Sequence, residues 1–238
     1  MTTNQPNKRL FSGAAGTLAL TARRATTLTV TRAAMTLLVM LLTATTAWAT
    51  DKTLSGSESY TAQNGDVLTG STSGTVTIDN NASITLNDVT ITGGIVCEGS
   101  ATITLVGTNI VNVNNAALVY KTAGIQIGGS GTTLTIRGNG SLTATGGSAA
   151  AGIGLGRTWD ASVTAGSIVI EGGTVTASGD IGIGIGTVGN SQTAAIDGIS
   201  IKGGTVNASL GKGYLYNGVT ATVGYIKVYD TKIGRAHV

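Results

Sequence analysis

A short β-type triplet, a glycine turn, a second β segment and a Gly-Ile run follow one another along this chain and then return, and that return constrains the fold more than any other feature. The triplets are Ile103-Thr104-Leu105, Leu134-Thr135-Ile136, Ile168-Val169-Ile170 and Ile199-Ser200-Ile201. From Leu105 the steps to Ile136, Ile170 and Ile201 are 31, 34 and 31 residues, and Leu86 of the earlier Ile84-Thr85-Leu86 precedes Leu105 by 19. The second segment recurs as Ser141-Leu142-Thr143-Ala144, Thr174-Val175-Thr176-Ala177 and Thr205-Val206-Asn207-Ala208. The Gly-Ile run recurs as Ala123-Gly124-Ile125, Ala151-Gly152-Ile153 and Ile181-Gly182-Ile183. A unit of three short strands cannot bury its own apolar face, so successive units must stack, as they do in a solenoid.

The alternation within the segments is period two, which means strands with one buried face. Gly172-Gly173, Gly203-Gly204, Gly93-Gly94 and Asn80-Asn81 supply residues that tolerate the sharp corners between them. No stretch of the repeat region has helical periodicity. These features predict an all-β, right-handed parallel β-helix, a solenoid forming a single domain, with the handedness set by the usual rule for parallel crossovers. A β-sandwich also uses many short strands, but it has no need of three segments recurring in register. Residues 51–75 are expected to cap the first coil. The extra length of the later coils falls at 157–166 and 187–197, so loops are expected along one edge.

The two ends read differently from the repeats. Residues 35–42 form an apolar run, basic residues precede it, and Ala47-Trp48-Ala49 fits a small-residue cleavage site. Residues 1–49 are therefore expected to be a signal peptide removed after Ala49, which makes the protein secreted or cell-surface with no membrane span in the mature chain. The run is shorter than the ~20 residues a bilayer core requires. At the other end, Ile-Gly-Arg-Ala-His-Val at 233–238 back-translates to a common sequencing adapter, so residues 232–238 are expected to be non-native and the domain, 50–231, to be truncated. Within 50–231, seven basic residues face eleven acids, about −4, whereas the whole chain has a formal charge of +3. With no basic patch interleaved with aromatics, nucleic acid is excluded as a partner.

Candidate chemistry is sparse. The Gly-Ile-Gly runs lack the following helix that a phosphate loop requires. Without His237 there is no histidine for a nucleophile and base pair, and Cys97 in Ile95-Val96-Cys97 reads as a buried small hydrophobe. The acids Asp66, Asp79, Asp88, Glu98, Asp160, Glu171, Asp180 and Asp197 are scattered singly, and most sit in turns. No cofactor and no catalytic residue is expected. The better contact residues are Arg157, Trp159 and Asp160 in one inserted loop, and Tyr214 and Tyr216, two apart and so on one side of a strand, at the comparable place one coil later. Stacked outward threonines such as Thr85, Thr104 and Thr135 offer an ice-binding array as a minor alternative.

The strings Ile-Thr-Leu-Asn-Asp-Val-Thr-Ile at 84–91, Gly-Thr-Thr-Leu-Thr-Ile-Arg-Gly at 131–138, Gly-Gly-Thr-Val-Thr-Ala-Ser-Gly at 172–179 and Ala-Ala-Gly-Ile-Gly at 150–154 resemble those of secreted bacterial parallel β-helix proteins of the carbohydrate-binding domain type. The resemblance spans about residues 55–230. It implies a pectate-lyase-like shape, export, and non-catalytic binding of a polysaccharide or surface glycan, with Ca²⁺ the one ion it brings; the chain itself is expected to be a monomer. It also implies further sorting or adhesion modules downstream. A polysaccharide lyase or hydrolase of the same fold, or a structural stalk, are the competing functions.

Overall fold

The computed structural model describes residues 50–113, 122–158, 161–189, 192–216 and 218–229, all of which belong to one unit, Ala47–Val238. The expected leader (1–49), Trp159, Asp160 and the expected adapter residues (232–238) lie outside the described residues. Every described element is a strand, and every ladder between named strands is parallel. The chain winds as a parallel β-helix.

The first three coils are short. They contain β1 (Asp51–Leu54) and β2 (Tyr60–Ala62), then β3 (Val67–Thr72) and β4 (Val76–Ile78), then β5 (Ala82–Ile91) and β6 (Ile95–Cys97). The fourth coil has β7 (Ala101–Val106), β8 (Thr108–Asn112) and β9 (Ile125–Gln126). The fifth has β10 (Thr133–Gly138), β11 (Ser141–Thr145) and β12 (Ala151–Leu155), and the sixth has β13 (Val163–Ile170), β14 (Thr174–Ser178) and β15 (Ile181–Ile185). The seventh has β16 (Thr193–Ile201), β17 (Thr205–Asn207) and β18 (Leu210–Lys212), and β19 (Thr220–Val223) and β20 (Ile226–Val228) follow.

These strands stack in three columns. The first runs β1, β3, β5, β7, β10, β13, β16 and then β19 and β20; the second runs β8, β11, β14 and β17 and starts from the end of β5. The third is a separate sheet, from β2 through β4, β6, β9, β12 and β15 to β18. Inside, like residues stack on like. One row is Ile84, Ile103, Ile136, Ile170 and Ile201, and another is Ile95, Ile125, Ile153, Ile183 and Leu210. All ten are buried and belong to a single apolar cluster running the length of the solenoid. Cys97 sits in it as expected, and burial pushes its thiol up to about 12.

The Gly-Ile strands now have a physical explanation. Gly154 and Gly184 have φ of 137° and 143°, and a Cβ on either would strike the carbonyl oxygen of the glycine stacked on it, Gly184 and Gly211 respectively. Only glycine permits both the conformation and the approach.

Three expectations need correction. Residues 51–75 are not a cap: β1 and β2 form a complete short coil and β3 lies in the next, Asp51 pairing with Val67 sixteen residues on. This coil was hidden because only Leu54 of β1 is buried, so the strand lacks an apolar triplet. The step from the fourth to the fifth coil is 33 residues, with Ile136 on Ile103 and Leu105 on Gly138, in place of the 31 that matched Leu105 to Ile136. A slip of two preserves inward and outward alternation, so periodicity cannot detect it. The glycine corner sets the register: a Cβ on Gly138 would meet the Leu105 carbonyl oxygen, and one on Gly140 would come to 2.7 Å from that of Gly107. Finally, 163–166 and 193–197 are strand, the beginnings of β13 and β16, so the loops are shorter than the sequence suggested.

A polar residue occupies one inward row. Asn109 stacks under Leu142, Val175 and Val206 and is fully buried. Its Nδ2 donates to the carbonyl oxygens of Val106 and Ser141 at 3.0 and 3.1 Å, and its Oδ1 accepts from the Val89 amide at 3.2 Å. The side chain thus ties three coils together where a leucine would only fill the row. Asn109→Leu is expected to lower unfolding stability by about 1–3 kcal/mol, because it leaves those backbone groups buried and unpaired. Denaturant unfolding with an unchanged m value checks this, and a variant as stable as the parent would contradict it.

Candidate functional site

The loops that join the third column back to the first are themselves stacked. Thr158 bridges Val188 and Val188 bridges Leu215, both in parallel register. The Thr158 amide donates to the Thr187 carbonyl and the Gly189 amide to that of Thr158, each at 3.0 Å; the Val188 amide donates to Tyr214 and the Tyr216 amide to Val188, each at 3.1 Å. The edge is therefore a fourth, narrow ladder that follows the pitch of the three columns. The sequence placed loops here but gave no sign of this order, because Thr187-Val188-Gly189 carries no strand pattern of its own.

Asp180, in the turn before β15, fixes the edge from below. Its Oδ2 accepts from the Thr187 hydroxyl at 2.6 Å and from the Tyr214 amide at 2.8 Å. Gly213 has no side chain because a Cβ there would strike that carboxylate. The next residues alternate: Leu215 packs against the core while Tyr214 and Tyr216 face out, 60% and 41% exposed. Their ring centroids are 5.0 Å apart with the planes at 86°. Such an edge-to-face pair is favourable in itself and forms a corner, not a flat platform.

The expected contact residues come together only in part. Arg157, Thr187 and Tyr214 occupy equivalent positions of successive coils, so Arg157 and Tyr214 share one row, two coils apart, about 9–10 Å by sheet spacing. Arg157 is half-buried. Its neighbour Thr158 is buried, and its hydroxyl finds no hydrogen-bond partner among the described residues. Trp159 and Asp160 lie outside them.

A second concave surface lies where the first column turns into the second. It is a trough of about 540 Å³ lined by Thr104, Val106, Thr108, Asn139, Ser141 and Thr174 among others, with glycine backbone at the corner. That volume falls in the range of small-molecule sites. Arg137 is exposed with its Nε 3.4 Å from the Thr104 hydroxyl, and Glu171 and Lys202, paired at 3.4 Å, are also exposed at the ends of the corresponding strands. The recurring Gly-containing corners 107, 138–140 and 172–173 are the one sequence signal of this trough. The same register breaks the expected threonine array: Thr85 lies under Thr104, but Arg137 stacks on Thr104, and Thr135 pairs with Thr102.

The scattered acids act mostly as braces between coils. Asp88 accepts from the Thr108 amide at 2.7 Å, and Asp197 accepts from the Ser130 hydroxyl at 3.1 Å and the Gly131 amide at 2.8 Å. Among the described residues no three His, Cys, Asp or Glu side chains converge closely enough to hold a metal ion. No described helix is long and apolar enough to cross a membrane. Comparison with protein-family models, with curated proteins and with solved structures finds no match.

Asp180→Ala is expected to release the tyrosine edge while leaving the columns intact. Charge-assisted hydrogen bonds contribute about 1.5–3 kcal/mol, so amide exchange at Tyr214 should accelerate about tenfold or more, with exchange in β12 and β15 unchanged. Hydrogen-exchange mass spectrometry checks it, and unchanged protection at Tyr214 would contradict the bracing role.

Proposed function

We propose that this protein is an exported, non-catalytic β-helix that binds a polysaccharide or surface glycan through its loop edge, as a carbohydrate-binding or adhesin-like protein. The observation that carries this reading is the exposed Tyr214–Tyr216 pair on a stacked edge anchored by Asp180. Large exposed aromatics on an ordered element mark contact surfaces, and a tyrosine face suits the apolar face of a pyranose while its hydroxyl and nearby polar groups take the sugar hydroxyls. The perpendicular rings favour one sugar residue held in a corner over a chain laid flat across both. Arg157, in the same row, would add a charged donor, and Trp159 and Asp160 follow it in sequence.

Binding is preferred to cleavage on the placement of the carboxylates. Asp66, Asp88, Asp180 and Asp197 are each committed to hydrogen bonds that hold coils or turns. The trough has a cation beside it, but Asp88, the carboxylate against its Gly107 and Thr108, is taken up by the Thr108 amide, and a lyase or hydrolase would require a free acid or base. The resemblance to carbohydrate-binding β-helices and the apolar leader before Ala49 support the extracellular setting.

A glycan array and insoluble-polysaccharide pull-down with the exported protein tests the reading. The parent is expected to bind without releasing product, and the Tyr214→Ala, Tyr216→Ala double variant to bind at least tenfold more weakly. Equal binding by the variant would remove the edge as the site, and product release by the parent would overturn the non-catalytic assignment.

A further inference from the structure

At the start of the solenoid a carboxylate is buried with no cation paired to it among the described residues. Asp66 is 1% exposed, in the turn that leads into β3. Its Oδ2 accepts from the Tyr60 hydroxyl and from the Gln63 amide, both at 2.8 Å, and its Oδ1 accepts from the backbone nitrogen of Thr50 at 3.2 Å. Thr50 is held from its other side as well, since its carbonyl accepts from the Val67 amide at 3.0 Å, one step before the Asp51–Val67 pairing begins. The nearby charges are already engaged: Lys52 pairs with Glu58 at 2.8 Å and stands 5.0 Å over the Tyr60 ring, and Asp51 is exposed on β1. The coil above meets this turn through Ser83, whose carbonyl accepts from the Gly65 amide, and Thr85, whose amide donates to the Asp66 carbonyl, and neither side chain titrates. A buried anion with no counter-charge is costly, and an asparagine could accept the same hydrogen bonds without that cost.

Position 50 is also where the processed chain is expected to begin. We propose that processing after Ala49 supplies the missing charge: the new α-ammonium group of Thr50 forms an ion pair with the buried Asp66 carboxylate and locks the first coil. The step is peptide hydrolysis. Water adds across the Ala49–Thr50 amide, the carboxylate leaves with Ala49, and the amine left on Thr50 takes up a proton. One neutral donor to Asp66 becomes a cationic group with three, and charge-assisted hydrogen bonds are the stronger kind. The precursor already has the fold's first hydrogen bond but not the charge, so the coil tightens only when the leader is gone. This device rests on the assignment of residues 1–49 as a cleaved leader and is independent of any glycan site.

The pairing raises the α-amino pKa of the folded chain above its ordinary ~7.7–8.0. The sign follows directly. The stabilisation is complete below the unfolded value and is lost as pH rises through the raised folded value. Tyr60 does not confuse the reading, because burial, its hydrogen bond to Asp66 and the neighbouring acids push its hydroxyl up to about 12.

The test compares the exported, processed protein with the same chain retaining Ala49 at its N-terminus. Mass spectrometry is expected to find Thr50 as the first residue, and NMR titration an α-amino pKa above 8. The Ala49-bearing form is expected to melt about 2–4 °C lower at pH 7, a gap that closes at high pH and in Asp66→Asn. A mature N-terminus at another residue overturns the proposal, as does an ordinary α-amino pKa with equal melting of the two forms. The wild-type titration decides the matter even if Asp66→Asn fails to fold.

Discussion

Every other feature of this molecule depends on parallel strands of successive coils lying in register, about 4.8 Å apart. A single coil exposes its apolar row on both sides and is worth nothing alone. Stacking buries isoleucine on isoleucine and valine on valine, and it satisfies the backbone of each strand with that of the next. Because successive strands pair in parallel, a residue that protrudes from one coil lies beside its counterpart in the next. The loop edge inherits its order from this: Thr158, Val188 and Leu215 stack because the strands they follow do.

Polar side chains set the register that hydrophobicity leaves free. Isoleucine rows would be as well buried after a slip of two residues, so something else must forbid the slip. Close backbone approaches at the corner between the first and second columns do so, because the position against the Leu105 backbone admits only a residue without a Cβ, and Gly138 supplies it. Asn109 adds three hydrogen bonds across the third, fourth and fifth coils, and Asp88 in β5, Asp180 before β15 and Asp197 in β16 reach to other coils along the outside. In this arrangement those acids are rivets.

Much of this was legible from the sequence because it is written in period two and in repeats. The Gly-Ile strands, the pairing of Ile136 with Ile170 and Ile201, and the shared face of Tyr214 and Tyr216 all follow from alternation. What alternation cannot carry was missed. The first coil has one buried residue in β1 and so no triplet, and the true step between the fourth and fifth coils differs from the inferred one by two residues. The bracing roles of Asn109 and Asp180 depend on which turn lies above which, and that is known only once the register is. The trough near Arg137 is formed by corners that were read as turns alone. Of the loop residues chosen for contact, Arg157, Tyr214 and Tyr216 fall on one edge, and Trp159 and Asp160 lie outside the described residues.

The register itself can be measured. In a Cys97→Ala background, cysteines at Thr102 and Thr135 occupy paired positions on adjacent coils, within the Cα separation a disulfide spans, whereas cysteines at Thr104 and Thr135 are offset by two residues and lie about 8 Å apart, beyond it. Mild oxidation of the folded protein should cross-link the first pair rapidly and leave the second reduced. Cross-linking of the second pair in preference to the first would contradict the 33-residue step, and with it the stacking on which the edge and the braces depend.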